Sequence, residues 1–594
     1  MKDQSKLDSE RKKASSHLAF IKKFIKKNEL PSSFLSTAWQ YYLPLSLNLL
    51  QWSQEKKTQQ KKSFVLGING AQGTGKSTLA DLLKELLQEY GLNVITLSID
   101  DFYLTKKERD ELADSIHPLL KTRGVPGTHD LQLAKQILDS LTALPDDEKI
   151  SNIQIPRFNK AIDDRFPDGD DLPDQFIDVI ILEGWCIGAE PQAIEHLEKH
   201  VNELEQLEDP EGHWRHYINE QLTEDYQALF SKLDYLAMLK APNFERIHLW
   251  RSQQEERLLK QQTDPSASSQ IMNSSQLKRF IMHYERLTRW MLEDMPQKSD
   301  LTFYLNENHG IDTQSYKESN WPPYISKSKL IVVTDLDASL LDENYSWAAA
   351  NQSLEQLSKV SFPVIFNSSK TLVEMIPLAE QIQQQFKTPP TPIVAENGGI
   401  IAYPDHENYK ISVSSIDLKS ILELAHNLRQ KHNYKFTGFS DMTAEEISSA
   451  TGLKPQSANL AKQRNSTEPI LWYDSFENFT EFKASLEDHG VRVIRGGQFI
   501  HLMGQADKAD ALESLRSHYI KTQTSDHWLV VALGDSPNDQ TMLNKADIGA
   551  LIPNKKHAAF EISAPHTIKC TESGPTAWQQ AIKELFLSLY GIQF

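Results

Sequence analysis

Lys76 and Ser77 close the run Gly70-Ala71-Gln72-Gly73-Thr74-Gly75-Lys76-Ser77, a G-x-x-x-x-G-K-S spacing whose backbone N–H groups can surround a polyphosphate. Gly70, Gly73 and Gly75 let the chain turn tightly and come close to an anion. Lys76 then reaches the β- and γ-phosphates, the Ser77 hydroxyl holds Mg²⁺, and Thr78 continues the cofactor-binding set into the helix start. Asp100 and Asp101 follow the next apolar run. A carboxylate there can bind Mg²⁺ or take the proton of an attacking hydroxyl, while one of the pair can equally be a helix N-cap. Arg123, Thr128 and His129, in RGVPGTHD, and Arg157, in IPRFNK, offer cations and donors to an anionic acceptor. Glu183 is a further acid at the end of an apolar run.

A second constellation begins at Asp335 and Asp337. Two aspartates two residues apart at a strand end can share one site, one attacking phosphorus and the other protonating the leaving oxygen. Ser368 follows the apolar run 364–366, Lys508 follows His501-Leu502-Met503-Gly504, and Asp535 and Asp539 lie in Gly534-Asp535-Ser536-Pro537-Asn538-Asp539. A hydroxyl, a lysine and an acidic turn are the groups that bind a phosphoryl group and balance its charge.

These residues need open α/β sheets, because ligands of such sheets bind beyond the carboxyl ends of the strands. Apolar runs at 64–68, 94–99, 176–182 and 235–239 predict the strands of the first sheet, and Ile247-His248-Leu249-Trp250 reads as another. Runs at 330–333, 364–366 and 528–533 predict strands of a second sheet. The expected organisation is a helical region over 1–62 packed on the first domain, a phosphate-loop domain over 63–311, and a proline-stiffened linker over 312–326. A second α/β domain over 327–594 follows, with a separate α/β cap inserted at about 403–492. Thr263 to Ser275 reads as a polar loop; Arg251, Arg257 and Arg286 are candidates for a lid over transferring phosphate or, any one of them, ordinary solvated helix arginines.

Composition narrows the function classes. The 594 residues suffice for three or four domain-sized units. A formal net charge of −18 argues against a nucleic-acid partner. Two cysteines exclude a disulfide framework or a cysteine-built zinc site and suit a reducing cytoplasm. No apolar run is long enough to span a membrane. The lysines at 22, 23, 26 and 27 suggest a solvated helix rather than a membrane-surface one.

GAQGTGKST, SIDDFYLT, RGVPGTHDL, IPRFNKA and LEGW, in that order, resemble the D-glycerate 3-kinase family of phosphate-loop kinases over about residues 15–310. The resemblance implies ATP and Mg²⁺ at Lys76 and Ser77, Asp100 or Asp101 activating the substrate hydroxyl, and Arg123, Thr128, His129 and Arg157 facing glycerate. Asn159 stands where that family's pattern has an aspartate. From residue 327 on, the chain resembles the haloacid dehalogenase superfamily, with a Rossmannoid core and inserted cap. Gly438-Phe439-Ser440-Asp441, Glu396-Asn397-Gly398-Gly399, Gly496-Gly497-Gln498-Phe499 and Lys462-Gln463-Arg464 are similar to the mannosyl-3-phosphoglycerate phosphatase family. The haloacid dehalogenase resemblance implies Asp335 as nucleophile, Asp337 as acid/base, Ser368 as a hydrogen-bond donor to the phosphate and Lys508 as counter-charge. It also implies Mg²⁺ on Asp335, the Asp337 backbone carbonyl and Asp535 with Asp539 in support, while the phosphatase-family resemblance implies Lys462, Gln463 and Arg464 on the substrate. Ala338-Ser339 replaces that family's more usual glycine-threonine.

Together the resemblances imply a bifunctional enzyme. One half phosphorylates D-glycerate with ATP; the other removes phosphate from mannosyl- or glucosyl-3-phosphoglycerate, with a separate glycosyltransferase between the two steps. A kinase for another small hydroxy compound fused to a generic sugar phosphatase, and a regulatory protein with one degenerate half, remain open at this point.

Overall fold

The computed structural model describes residues 17–142, 154–171, 175–261, 274–317, 327–406, 408–413, 416–496, 498–522, 526–558 and 560–594. The expected polar loop at 263–275 falls outside the described residues except at its last two positions, and the linker is described only to residue 317. The chain divides into two compact units, Tyr41–Ile325 and Met1–Gln40 with Ser326–Phe594.

The N-terminal helices are shared between the units, which corrects the expectation that all of 1–62 packs on the first. Helix α1 (17–27) turns Leu18, Ile21 and Phe24 inward and belongs to the second unit. There Lys22 Nζ lies 3.0 Å from His566 Nδ1, and Trp39 Nε1 donates to the Tyr590 hydroxyl at 3.5 Å. Helix α2 (Leu43–Gln60) belongs to the first unit, with Trp52 against Phe64 and Tyr235. Its Lys57 pairs with Asp178 at 2.6 Å.

The first unit is built on a six-stranded sheet. Its strands are β1 (Phe64–Gly70), β2 (Val94–Ser98), β3 (Val179–Gly184), β4 (Tyr235–Lys240), β5 (Leu301–Leu305) and β6 (Ile311–Tyr316), in the order β6-β5-β4-β1-β3-β2. Every pairing is parallel except the β5–β6 hairpin. β1 and β3 are buried along their whole length, which is why they read as continuous apolar runs. Helix α3 (Lys76–Glu89) leaves the phosphate loop and buries Leu79, Leu82, Leu83 and Leu86 on the sheet.

Two expectations fail here. Ile247 to Trp250 lies in helix α4 (Phe244–Gln261), not in a strand. Phe244, Ile247 and Trp250 recur at helical spacing and are buried, and Asn243 Oδ1 accepts from Arg246 N at the helix start. Residues 311–316 are strand rather than linker, because β6 covers the edge of β5.

The second unit holds an eight-stranded sheet. Its strands are β7 (Lys327–Thr334), β8 (Val364–Asn367), β9 (Ile393–Ala395), β10 (Ile400–Asp405) and β11 (Asn408–Val413), then β12 (Asp526–Gly534), β13 (Ile548–Leu551) and β14 (His566–Lys569). The order is β11-β10-β9-β8-β7-β12-β13-β14, with β10 and β11 antiparallel. Residues 403–405 and 408–413 therefore continue the core sheet, and the cap starts later than expected. It runs from helix α5 (Leu418–His432) through a four-stranded antiparallel sheet whose last strand is Phe499–Met503, over a core of Ile421, Phe436, Ile470, Phe482 and Leu486. No helix among the described residues is long and apolar enough to cross a membrane.

Lys56 on α2 bonds to Asp234, whose Oδ2 also accepts the Val65 amide of β1 at 2.7 Å. Lys56→Met removes the cation beside a largely buried carboxylate. It is expected to destabilise the first unit by about 3 kcal/mol, seen as a lower urea midpoint with an unchanged slope.

Candidate active sites

In the first unit three neighbouring strands deliver the chemistry. β1 ends at the phosphate loop, β3 at Glu183 and β2 at Asp100, with Ile68 and Ser98 both in register with Glu183. Gly73 and Gly75 take positive φ of 81° and 89°, a conformation that side chains other than glycine's resist. A Cβ on Gly70 would stand 2.5 Å from Thr74 Oγ1. Ser77 Oγ donates to Glu183 Oε1 at 3.1 Å, and Lys76 Nζ lies 4.0 Å from Glu183 Oε2. Burial raises the Glu183 carboxyl above the ordinary carboxylate range, against the pull of Lys76. Among the described residues its Oε2 has no hydrogen-bond partner. A hydroxyl and a carboxylate beside an amide cradle are hard oxygen donors that suit Mg²⁺ with a phosphate. Glu183 was legible as an acid at a strand end, but its place beside Ser77 follows only from the pairing of β3 with β1.

The adjacent aspartates separate. Asp100 accepts from Tyr103 OH at 2.7 Å and pairs with Lys160 at 2.8 Å. Burial alone would raise its pKa; Lys160 and Lys76 outweigh burial and hold it below the ordinary value. Asp101 instead accepts from Arg157 Nη1 at 2.7 Å and from Phe158 N at 3.2 Å. Its two oxygens fasten the 157–158 loop, a positioning task that leaves Asp100 as the aspartate beside Lys76.

The acceptor candidates also sort. Thr128 is fully buried; its Oγ1 accepts from Gly124 N and donates to Val125 O, so it closes a turn and does not face a substrate. His129 Nδ1 lies 2.6 Å from Tyr226 OH, and its Nε2 has no hydrogen-bond partner among the described residues. Burial lowers His129 to about 4, so it is neutral at pH 7. Arg123 pairs with Asp163 and Arg157 with both Asp101 and Asp170. Arg286, a candidate for either a lid or a solvated helix face, is instead buried on Glu205 at 2.6 Å and serves the core.

In the second unit Asp335, Ser368 and Asp535 follow the carboxyl ends of adjacent parallel strands β7, β8 and β12. Lys508 Nζ lies 2.6 Å from both Asp335 Oδ1 and Asp539 Oδ1. Asp539 Oδ2 accepts from the amides of Asp535 and Ser536 and from Ser536 Oγ, which shapes the acidic turn. Burial pushes the Asp335 carboxyl up to about 7, against the pull of Lys508 and with a push from Asp539. Burial raises Asp535 too.

Oxygens of Asp335, Asp535 and Asp539 lie within 4.8 Å of one another, a donor set that suits Mg²⁺. The Asp337 carboxylate is outside this group, as suits a residue whose expected metal ligand is its backbone carbonyl. Its Oδ2 lies 3.0 Å from Lys370 Nζ. Ala338 takes φ +56°, the conformation glycine favours, and Ser339 Oγ donates to Asp535 Oδ1 at 3.1 Å.

Lys370 and Asn554, which bonds to Asp535, were not among the expected residues. Lys370 could have been suspected from its place two residues after Ser368; nothing near Asn554 in sequence announces it.

The cap candidates divide as well. Lys462 Nζ bonds to Met442 O, and Gln463 is exposed, its amide on Asn459 O at 3.4 Å. Arg464 reaches the core: its Nη1 donates to Thr467 Oγ1 at 2.7 Å and lies 3.5 Å from Ser369 O. Behind it, fully buried Glu396 accepts from the amides of Asn465, Ser466 and Thr467 at 2.8–3.0 Å.

A profile of the haloacid dehalogenase-like hydrolases matches residues 332–577. The glucosyl-3-phosphoglycerate/mannosyl-3-phosphoglycerate phosphatase of Persephonella marina is 33% identical over 266 residues, 43% of this chain and 96% of that protein. The protein of the same name from Methanococcoides burtonii is 33% identical over 272 residues, 43% of this chain and 97% of its own length. Among solved structures, the D-glycerate 3-kinase from Cryptococcus neoformans is 26% identical, covering 46% of this chain and 99% of that one with a TM-score of 0.38.

Gly398 has φ +91°, and a Cβ there would stand 2.2 Å from Asp507 O. Gly398→Ala should push the backbone of Asp507 and Lys508 away from Asp335. Phosphatase kcat is expected to fall by about a hundredfold or more, with any activity of the first unit retained. The buried His129 and His283 both stand at about 4. Since the unfolded value is near 6.5, the unfolded chain binds more protons between the two values. The stabilisation is complete above about pH 6.5 and is lost as pH falls through 4, about 3 kcal/mol per histidine. Unfolding of the first unit near pH 5 should take up about one proton per histidine, measurable from the pH dependence of its free energy.

Proposed function

The chain belongs, through its second unit, to the haloacid dehalogenase-like hydrolase family, and from that premise we propose a bifunctional enzyme with two phosphoryl-transfer sites. The second unit removes phosphate from mannosyl- or glucosyl-3-phosphoglycerate. The observation that carries this reading is the Lys508 bridge between Asp335 and Asp539, with Asp535 in reach. Asp335 attacks phosphorus, and Lys508 offsets the charge of the aspartyl-phosphate. Ser368 donates to a phosphoryl oxygen, and Asp337 protonates the departing glycerate oxygen. Asp335, the Asp337 carbonyl, Asp535 and Asp539 would hold Mg²⁺, which adds positive charge at the phosphoryl group. Arg464, on the cap and against Ser369, is the cap residue best placed to sense the rest of the substrate.

The first unit transfers the γ-phosphoryl group of ATP to D-glycerate. The amides of 70–77 and Lys76 bind the phosphates, and Ser77 with Glu183 would hold Mg²⁺. Asp100 orients the acceptor hydroxyl and takes its proton. Arg123, Arg157 and His129 face the acceptor. The product, 3-phosphoglycerate, is the glycerate half of the second unit's substrate. A glycosyltransferase acting between the two steps would complete a cytoplasmic route to a glycosylglycerate, a compatible solute.

Purified full-length protein is assayed with D-glycerate plus ATP and, separately, with both glycosyl-3-phosphoglycerates and Mg²⁺. Lys76→Ala should abolish the first activity and spare the second; Asp335→Asn should do the reverse. Loss of both activities in either folded variant would contradict two independent sites, and phosphatase efficiency on 3-phosphoglycerate equal to that on the glycosyl compounds would contradict the substrate assignment.

A further inference from the structure

One largely buried cation beside Asp337 has no part in the chemistry above. Lys370 follows Ser368 by two residues, and its Nζ lies 3.0 Å from Asp337 Oδ2. The Lys370 side chain is 13% exposed, and its Nζ lies 5.0 Å from the ring centroid of Tyr345. Its backbone is fixed on both sides. Lys370 O accepts from Glu396 N at 3.0 Å, and the next residue, Thr371, caps the following helix while its Oγ1 donates to Leu460 O of the cap at 3.1 Å. The ammonium is therefore held at one spot at the junction of phosphate site and cap.

Among the described residues, the nearby cations Lys508 and Arg464 each have protein partners, and Arg464 approaches from the cap side. Lys508 is clamped between Asp335 and Asp539, and Arg464 directs Nε to Ala461 O and Nη1 to Thr467 Oγ1. The substrate brings a second anion besides its phosphate. In a glycosyl-3-phosphoglycerate the carboxylate lies three bonds from the oxygen that leaves phosphorus. Asp337 must touch that oxygen to protonate it. A cation in contact with Asp337 is then within reach of a carboxylate three bonds further along.

We propose that Lys370 is the specificity residue that binds the glycerate carboxylate, an inference that rests on the glycosyl-3-phosphoglycerate reading. A compact ammonium suits a carboxylate approached from one side. Lys370 selects for phosphate esters of a carboxylic acid over ordinary sugar phosphates, while the choice between glycosylated and free 3-phosphoglycerate falls to the cap.

The test uses the full chain with Mg²⁺ and compares kcat/KM on mannosyl-3-phosphoglycerate with that on p-nitrophenyl phosphate, which has no carboxylate. In Lys370→Gln the ratio of the two efficiencies should fall about thirtyfold, chiefly through KM of the glycosyl substrate. Lys370→Arg should recover part of the loss. An unchanged ratio, whether both efficiencies fall together or neither falls, would overturn the proposal and leave Lys370 as a partner of Asp337. If Lys370→Gln does not fold, the wild type decides: mannosylglycerate should inhibit p-nitrophenyl phosphate hydrolysis about tenfold more strongly than mannosylglycerol. Equal inhibition would overturn the proposal. A wild type that hydrolyses p-nitrophenyl phosphate but neither glycosyl-3-phosphoglycerate would sink the substrate reading itself, and the carboxylate role with it.

Discussion

The ammonium of Lys508, 2.6 Å from each of two buried carboxylates, is the contact on which the second unit's site depends. Asp335, Asp535 and Asp539 converge where burial, and then the charge of Asp539, raise the proton affinity of Asp335 and Asp535. Without a fixed cation the cluster would protonate or spread apart. Lys508 prevents this from within, and Gly398 makes its approach possible by leaving room for the backbone of Asp507. Removing one partner of such a buried set leaves an uncompensated charge, so its members act as one unit.

The first unit meets the same constraint differently. Its acids are spread over neighbouring strand ends, and each has its own partner. Glu183 sits by Ser77 and Lys76, Asp100 by Lys160 and Tyr103, and Asp101 by Arg157. The division between Asp100 and Asp101 is a consequence of a short turn: two adjacent carboxylates cannot point the same way, so one faces the phosphate loop and the other fastens the loop at 157–158.

The cap is tied to the core at the point where recognition and chemistry meet. Glu396 takes up the amides of 465–467, and its own amide donates to Lys370 O. Segment 460–467 and the loop 368–371 therefore form one hydrogen-bonded body. The groups suited to sensing the substrate and the hydroxyl suited to its phosphate hold a fixed spacing within that body.

By itself the sequence determined the two α/β units and the phosphate loop, and it singled out Asp335, Ser368, Lys508, Asp535 and Asp539 as residues at strand ends and turns. Each of these follows an apolar run or sits in a turn whose residue types dictate local geometry. Local pattern failed where partners are distant in the chain. Ile247 to Trp250 has the composition of a strand, yet among the described residues no strand pairs with it, and its burial follows a helical face. The N-terminal helices divide between units because α1 and α2 find different apolar surfaces, a choice invisible in their own periodicity. Thr128 is conspicuous in its motif, but its hydroxyl is consumed by its own turn. Lys370 is inconspicuous and faces Asp337 across 33 residues. Residue type and spacing announce which chemistry a chain can do; only the pairing of strands and the burial of charge decide which of several like residues is turned toward it.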